Sequence, residues 1–200
     1  MSTQRVEATP FPAAQSWFLD NLITRALATT FVRRLDLKPG MRVLDFGCGP
    51  GRLTLPLARA VGAGGEVLAV DLQPEMLTRV ERRAAAAGLA GIRTQHASAG
   101  DADLPARWFD LALLAYVLGE IPPDQRLPAF RQIAGALRDG GRLLVAEAAI
   151  DPHRQSPDAV RSLGERAGLE VETVKDGRLS TVITLRSASV PAHGFPSPNR

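Results

Sequence analysis

Short apolar runs divide the chain into a regular series of predicted strands. Such runs at 43–46, 66–71 and 109–115 predict buried strands, and 92–97 and 142–148 predict two more. Apolar residues at helical spacing lie between them and predict intervening helices. An alternation of this kind is typical of an α/β fold with a mostly parallel sheet. Residues 169–175 and 180–186, joined by Asp176-Gly177, predict a closing antiparallel pair.

The spacing of apolar residues also predicts the helices, and the polar, proline-containing ends predict the limits of the domain. Apolar residues recur every four positions over 14–35, which predicts an N-terminal helix. Further helices are predicted to follow Gln73-Pro74, to span 124–138, and to run from Ser156-Pro157 to Gly168. Residues 1–13 are polar and contain prolines, so we expect a flexible N-terminus. Residues 187–200 are rich in Pro, Ser and Gly and predict a disordered tail, leaving one domain over 14–186.

A glycine-rich turn follows the first predicted strand and organises the rest of the chain. It holds Gly47, Gly49 and Gly51, with Asp45 two residues before the first of them. A strand that enters such a turn and then a helix forms a nucleotide-type site in α/β sheets. The dinucleotide fingerprint does not fit, because Arg52 occupies its closing position, and no Gly-Lys-Ser/Thr of a P-loop is present.

Asp45 indicates which ligand the turn accepts. A carboxylate in a pyrophosphate site would face like charge in a low-dielectric cleft, which costs free energy. A ligand with an ammonium group and no phosphate suits it better, and S-adenosylmethionine (SAM) is such a ligand. A second acid, Asp71, ends the next strand 20 positions after Gly51 (71 − 51). At this spacing a carboxylate reaches ribose hydroxyls.

With these residues in place, the chain resembles the class I SAM-dependent methyltransferases, whose first motif is Asp-x-Gly-x-Gly-x-Gly. The resemblance implies a Rossmann-like, doubly wound, mostly parallel seven-stranded sheet with an antiparallel C-terminal strand. It also implies SAM as the cofactor and methyl transfer to a small-molecule acceptor. The pattern is most similar to quinone-biosynthesis and arsenite methyltransferases. Cys48 is the single cysteine, which argues against an arsenite substrate.

Two functions other than methyl transfer are compatible with a nucleotide-type site. One is a SAM-binding sensor or partner protein without catalysis. The other is a nicotinamide oxidoreductase, which Arg52 and Asp45 disfavour.

The resemblance also implies roles for further residues. Leu72 and Met76 are expected to flank the adenine. Counting from the third strand places Ser98-Ala99 at the adenine amino group, whereas counting back from Leu104-Pro105 leaves Asp101 nearest; we favour Ser98. The remaining expected cofactor contacts are Phe46, Cys48 and Ala115. The 14–35 helix would be a lid, with Trp17, Phe18 and Asn21 over the site. We favour the alternative that the two aromatic residues pack that helix on the sheet, and the two roles are compatible.

The loop after the fourth predicted strand is expected to hold the catalytic groups, since active residues collect at strand ends in open α/β sheets. Glu120 is the acid–base candidate and Tyr116 a polar or aromatic wall. The alternative for Glu120 is that it caps the next helix near Pro123, because acids favour helix N-termini.

Composition restricts the partners and the compartment. The net charge is only +3, and the arginines do not cluster with aromatic residues, which argues against a nucleic-acid substrate. Cys48 in the turn is more simply a compact filler than a reactive thiol. No apolar run reaches the length of a membrane span, and no signal peptide is evident, so a cytoplasmic monomer or homodimer is expected. His96 has no second His or Cys at ligand spacing, so no metal is expected.

Overall fold

A single seven-stranded sheet forms the centre of the computed structural model, which describes residues 22–187 and the side chains from Ala26 onward. Its strand order is β3-β2-β1-β4-β5-β7-β6. The strands are β1 Arg42–Phe46, β2 Glu66–Asp71, β3 Ile92–His96, β4 Phe109–Ala115, β5 Leu137–Ala148, β6 Leu169–Asp176 and β7 Ser180–Ser187. The helices are α1 Leu22–Arg33, α2 Thr54–Val61, α3 Pro74–Ala86, α4 Pro123–Ala136 and α5 Pro157–Arg166.

The order of the strands places a crevice at the carboxyl end of β1. β1 pairs in parallel with β2 on one side and with β4 on the other, so the chain order reverses there. Asp45 lies opposite Ala69 of β2 and Leu113 of β4. Ligands of open α/β sheets bind at such a switch point. β7 runs antiparallel to both β5 and β6, which confirms the predicted fold class.

The core consists of apolar layers on both faces of the sheet, because strand residues alternate between the faces. Leu44, Leu114 and Val145 belong to the layer that includes Phe130 and Ile133 of α4. Val43, Leu113 and their neighbours face the opposite layer, which includes Leu57 of α2. With both faces covered, the strands are held rigidly and their carboxyl ends keep fixed positions.

The boundary between α4 and β5 differs from the sequence expectation. The predicted helix over 124–138 ends at Ala136, because Leu137 has extended backbone angles and pairs with Phe109. Strand β5 therefore begins at Leu137 rather than at Arg142. The segment Asp139-Gly140-Gly141, between the predicted helix and the predicted strand, is an irregularity within β5, where the register shifts and Gly140 has φ of 70°.

Three predicted segments fall wholly or partly outside the described residues. Of the 14–35 helix, the described part is α1, and Trp17, Phe18 and Asn21 lie outside it. The 1–13 segment, for which flexibility was predicted, lies outside the described residues, as does the predicted 187–200 tail apart from its first residue, which ends β7.

Candidate functional site

The glycine turn is anchored to β2 through its backbone. The N–H groups of Gly47 and Cys48 both donate to the carbonyl oxygen of Val70, at 2.8 and 3.0 Å. Gly47, Gly49 and Gly51 have φ of 75°, 51° and 81°, a region that L side chains rarely adopt. The turn is thus a fixed loop with its shape set by glycine.

The three glycines have different surroundings. A Cβ on Gly47 would lie 2.4 Å from Cγ2 of Val117, and one on Gly51 would lie 3.0 Å from Leu55 and Val80 side-chain carbons. A Cβ on Gly49 would meet nothing within 4 Å. Packing therefore requires glycine at 47 and leaves little room for a side chain at 51, whereas Gly49 borders open space where a ligand can approach the backbone.

Asp71 connects the end of β2 to this turn. Its Oδ2 accepts a hydrogen bond from the Gly49 N–H at 2.8 Å, and its Oδ1 accepts one from the Gln73 N–H at 2.9 Å. Burial raises the pKa of Asp71, while these backbone donors and the nearby His96 oppose the rise. The carboxylate lies beside the open space at Gly49.

Asp45 is more deeply buried, with 2% of its surface exposed. Its Oδ2 accepts a hydrogen bond from the Thr54 hydroxyl of α2 at 2.6 Å. Burial raises its pKa to about 6, with the Thr54 bond opposing the rise and the charge of Asp71 adding to it. Two neighbouring carboxyl groups with raised pKa values favour a cationic ligand and disfavour a diphosphate, since a positive charge would relieve their repulsion.

Three of the residues predicted to contact the cofactor have side chains that are buried in the interior of the fold. The Phe46 side chain is in the core, so only its backbone borders the turn. Met76 is 3% exposed within α3. Cys48 is buried, and burial raises the pKa of its thiol well above the ordinary value, with Asp45 and Asp71 adding to the rise. A thiol in this environment stays protonated, which agrees with its interpretation as a compact filler.

The predicted adenine side lies beyond Asp71. Leu72 is half exposed, and its carbonyl oxygen lies 2.9 Å from Nε2 of His96. The Ser98 hydroxyl donates to Oδ2 of Asp101 at 2.5 Å, and the Asp101 N–H donates to the Ser98 carbonyl. The two residues that the sequence offered as alternatives therefore belong to one turn, with Ala99 between them packed against the core. Sequence reasoning set His96 aside, although it contacts the loop that holds Leu72.

The opposite side of the crevice is formed by the loop after β4. Ala115 ends β4 beside Ala146, and Tyr116 follows with φ of 62° and its N–H bonded to the Ala146 carbonyl. Tyr116 is 37% exposed. Glu120 is half-buried in a turn in which its N–H donates to Val117. The N-cap position of α4 is Pro122, so Glu120 is not the capping residue.

Two charged residues that sequence reasoning missed lie behind this loop. Arg126 of α4 donates to the carbonyls of Ile121 and Gly119 and to the side chain of Gln155. Glu147, near the carboxyl end of β5, is 1% exposed. The sequence signal for Glu147 was an acidic residue within an otherwise apolar predicted strand. Such a residue is notable because a buried charge is rare without a specific role.

The structure thus brings the predicted cofactor residues to one edge of the sheet, on both sides of the glycine turn. Asp45, Asp71 and the turn form its centre, with Ser98 on one side and Tyr116 and Glu120 on the other. Within the described part of the chain, no group of three or more His, Cys, Asp or Glu side chains could hold a metal ion. No helix there has the length and apolar character to cross a bilayer.

Comparison with known proteins fits this geometry. Residues 43–141 match the family model described as "Methyltransferase domain", a span that begins at β1 and ends within β5. This part of the chain belongs to the methyltransferase family. Residues Asp45 to Gly51, Asp71 and Glu120 all lie within the matched span.

Individual relatives agree with the family. The chain is 38% identical over 112 residues to a ubiquinone/menaquinone biosynthesis C-methyltransferase of Azotobacter vinelandii, covering 56% of this chain and 44% of that protein. It is 29% identical over 175 residues to nocamycin O-methyltransferase of Saccharothrix syringae, covering 87% of this chain and 60% of that protein. The chain therefore spans about half the length of the curated relatives it matches.

Solved structures share the fold. A SAM-dependent methyltransferase from Aquifex aeolicus superposes with a TM-score of 0.80 at 22% identity, covering 89% of this chain and 100% of the other. The [4+2]-cyclase SpnF superposes with a TM-score of 0.72 at 18% identity, over 90% and 86% of the two chains. Because one of these neighbours is named for a different reaction, the fold alone does not decide the chemistry.

Proposed function

We propose that this protein is a SAM-dependent methyltransferase that transfers a methyl group to a small-molecule acceptor. The observation that carries the proposal is the joined pair of Asp71 and the glycine turn, through the Gly49 N–H bond, with Asp45 buried beside them. This arrangement offers carboxylates and open backbone to a cationic amino-acid nucleoside. The family match and the methyltransferase relatives support the same conclusion.

The residues present fit SAM, because the side chains of Asp45 and Asp71 are acidic and the space beside Gly49 is open. Asp45 and the turn would face the amino-acid end, Asp71 the ribose hydroxyls, and Leu72 with Ser98 or Asp101 the adenine. When bound, SAM supplies an electrophilic methyl group. The protein's contribution is to hold donor and acceptor in line, and positioning of this kind can supply roughly 7–11 kcal/mol of the barrier.

The acceptor would lie against the loop after β4. Tyr116 would form one wall, and Glu120 would receive a proton if the acceptor is a hydroxyl or an acidic carbon. We extend the proposal to a monomer or homodimer in the cytoplasm without a nucleic-acid substrate. The single cysteine and the dispersed arginines support the last two points.

The test uses isotope-labelled SAM and a metabolite extract, with mass spectrometry of the products. Label in a small molecule that depends on the wild-type protein supports the proposal. Glu120→Gln should reduce the incorporation while leaving SAM affinity unchanged in isothermal titration. Absence of SAM binding by the wild type would refute the proposal.

A second candidate is a SAM-binding protein that does not transfer the methyl group. Its basis is that a protein of the same fold is named as a cyclase, so this fold is not restricted to methyl transfer. It predicts SAM binding with no labelled product across the extract, and an unchanged phenotype on Glu120→Ala. The same labelling experiment therefore separates the two candidates.

A further inference from the structure

One side chain of α4 holds the turn that contains both candidates for the adenine contact. The Nε2 amino group of Gln132 donates to the carbonyl oxygen of Gly100 at 3.2 Å and to that of Ala102 at 2.5 Å. These two carbonyls belong to the residues on either side of Asp101. A side-chain amide has two N–H donors, so one residue can make both bonds. The backbone on both sides of Asp101 is therefore fixed to α4.

The orientation of the Gln132 amide follows from its surroundings. Its Oε1 is buried and has no hydrogen-bond partner among the residues that the structure describes. Rotating the amide by half a turn would bring that oxygen against the carbonyls of Gly100 and Ala102, and two acceptors repel each other. Buried polar atoms are nearly always paired, so the unpaired oxygen calls for a specific explanation. Holding the turn with the amino group provides one.

The turn also packs directly on α4. A Cβ on Gly100, which has φ of 92°, would lie 3.1 Å from Cβ of Pro128. The side chain of Ala102 is buried in the same core layer as Phe130. Asp101, between these two anchored residues, is exposed. The helix therefore supports the backbone of the turn and leaves Asp101 accessible to a ligand.

Bonds within the turn fix the carboxylate relative to its own backbone. The Asp101 N–H donates to the Ser98 carbonyl at 3.2 Å, and the Ser98 hydroxyl donates to Oδ2 of Asp101 at 2.5 Å. Gln95 of β3 donates to the Asp103 carbonyl at 3.2 Å, which holds the chain beyond the turn. The bonds from Gln132 add the link between the turn itself and the helix layer of the fold.

We propose that Gln132 is a positioning residue for recognition of the donor's base. By holding the carbonyls of Gly100 and Ala102, it keeps the Asp101 carboxylate where that group accepts a hydrogen bond from the adenine amino group. The inference rests on the proposed function, because the base is that of SAM. Gln132 acts through the turn, since its amide is bonded to the backbone of the turn.

The position of a carboxylate decides between adenine and hypoxanthine. Adenine carries an amino group, which is a donor, where hypoxanthine carries a carbonyl oxygen, which is an acceptor. An ionised carboxylate only accepts, so it bonds the amino group and repels the oxygen. Sites built to bond one polar group reject the analogue that lacks it. A turn that moves away from the base would lose this discrimination.

Isothermal titration of the full chain with S-adenosylhomocysteine and with its inosine analogue measures the discrimination as a ratio of affinities. Gln132→Met keeps the length of the side chain and removes its donors. It should lower the ratio about three- to tenfold, a part of the roughly 10- to 150-fold that a bond to a charged acceptor supplies. Gln132→Lys keeps N–H donors and should retain most of the wild-type ratio. A purely structural role would weaken both compounds together, and an unchanged ratio in Gln132→Met would overturn the proposal.

A double-mutant cycle tests whether Gln132 acts through Asp101. Asp101→Asn should itself lower the ratio, and adding Gln132→Met should then change it by less than about twofold, because coupled residues have non-additive effects. Gln125→Met makes the same chemical change at another glutamine of α4 and should keep the wild-type ratio. Additive effects of the two changes, or a wild-type ratio in Asp101→Asn, would overturn the proposal.

The turn is followed without ligand by ¹⁵N relaxation. The amides of residues 100–102 should have order parameters of about 0.85 in the wild type and of about 0.6 or below in Gln132→Met. The Glu120 amide, which donates to the Val117 carbonyl in the loop after β4, is the internal reference and should not change. Equal order parameters in the two proteins would overturn the proposal. If S-adenosylhomocysteine bound no variant, including the wild type, the proposed function would fail, whereas the order parameters would still decide whether Gln132 holds the turn.

Discussion

The carboxylate of Asp71 accepts a hydrogen bond from the backbone N–H of Gly49 at 2.8 Å, so the acid that ends β2 is bonded to the loop that follows β1. The second carboxylate oxygen is bonded to the Gln73 N–H at the start of α3. One side chain therefore aligns two of the segments that would contact SAM, and it presents its charge at the open space beside Gly49.

Asp71→Ala should weaken SAM binding about 10- to 150-fold, because a hydrogen bond to a charged acceptor contributes roughly 1.5–3 kcal/mol. Isothermal titration measures the effect. Asp103→Asn, an exposed acid in the segment between β3 and β4, serves as the control and should keep wild-type affinity. Equal affinities of wild type and Asp71→Ala would exclude the ribose role of Asp71.

Asp45→Asn should stabilise the protein without ligand at pH 8, by about 1–3 kcal/mol. The folded-state pKa of Asp45 is raised from 3.8 to about 6, so the folded protein binds the proton more tightly than the unfolded chain. Wild-type stability from this group is therefore highest below about pH 4, and it falls as pH rises to about 6. The amide keeps an oxygen to accept the Thr54 hydroxyl bond.

Urea denaturation at pH 4 and pH 8 measures this difference. The stabilisation by Asn should be present at pH 8 and largely absent at pH 4, where the wild-type carboxyl is also neutral. The same variant should bind SAM more weakly, since it lacks the negative charge that in the proposed function would face the ammonium group. An Asn variant that is less stable than wild type at pH 8 would contradict the burial argument.

Gly47→Ala should mainly reduce the stability of the protein, whereas Gly49→Ala should mainly reduce its affinity for SAM. Gly47→Ala places a methyl group 2.4 Å from Val117 and should lower the free energy of unfolding by several kcal/mol. Gly49→Ala meets no protein atom within 4 Å, so only the backbone strain of about 1–2 kcal/mol applies. Its methyl group would instead occupy the ligand space and reduce SAM affinity at least about tenfold, which corresponds to about 1.4 kcal/mol.

Thermal unfolding and isothermal titration on both variants separate these effects. Val117→Ala combined with Gly47→Ala should recover part of the lost stability, because it removes the contacting methyl groups but not the strain at φ of 75°. If Gly49→Ala bound SAM with wild-type affinity, the ligand would not occupy the open space beside Gly49.

Asp101→Asn should reduce discrimination between S-adenosylhomocysteine and its inosine analogue. The Ser98 hydroxyl already donates to the Asp101 carboxylate, which leaves that carboxylate as the acceptor for an adenine amino group. Competition binding of the two compounds gives the ratio. Ser98→Ala is the comparison: a larger loss of discrimination in Ser98→Ala than in Asp101→Asn would assign the contact to Ser98 instead.

The sequence predicted those parts of the fold where a local pattern decides the structure. The run from Phe109 to Ala115 matches β4 residue for residue, because a fully buried parallel strand is a continuous apolar run. The end of α4 was misplaced because Leu137 is extended only through its pairing with Phe109, a contact that periodicity does not encode.

In the site, too, local sequence predicts some features and tertiary contacts decide the others. The glycine turn and Asp71 could be predicted from spacing, since backbone conformation requires the glycines and strand ends meet at one edge. The Thr54 bond to Asp45 and the three bonds of Arg126 connect residues of different elements, and only their packing in three dimensions reveals them. Glu147 was passed over because its strand was predicted from apolar content alone.

The packing of Val117 on Gly47 has a consequence for attempts to redirect this protein to new acceptors. In the proposed function, a substitution at 117 would change the packing on the glycine turn as well as the loop after β4, so donor binding and acceptor recognition would change together. Ile150, after β5, is 92% exposed, so a substitution there would disturb little packing. Combinatorial libraries should therefore keep Val117 constant and diversify the segment that contains Ile150.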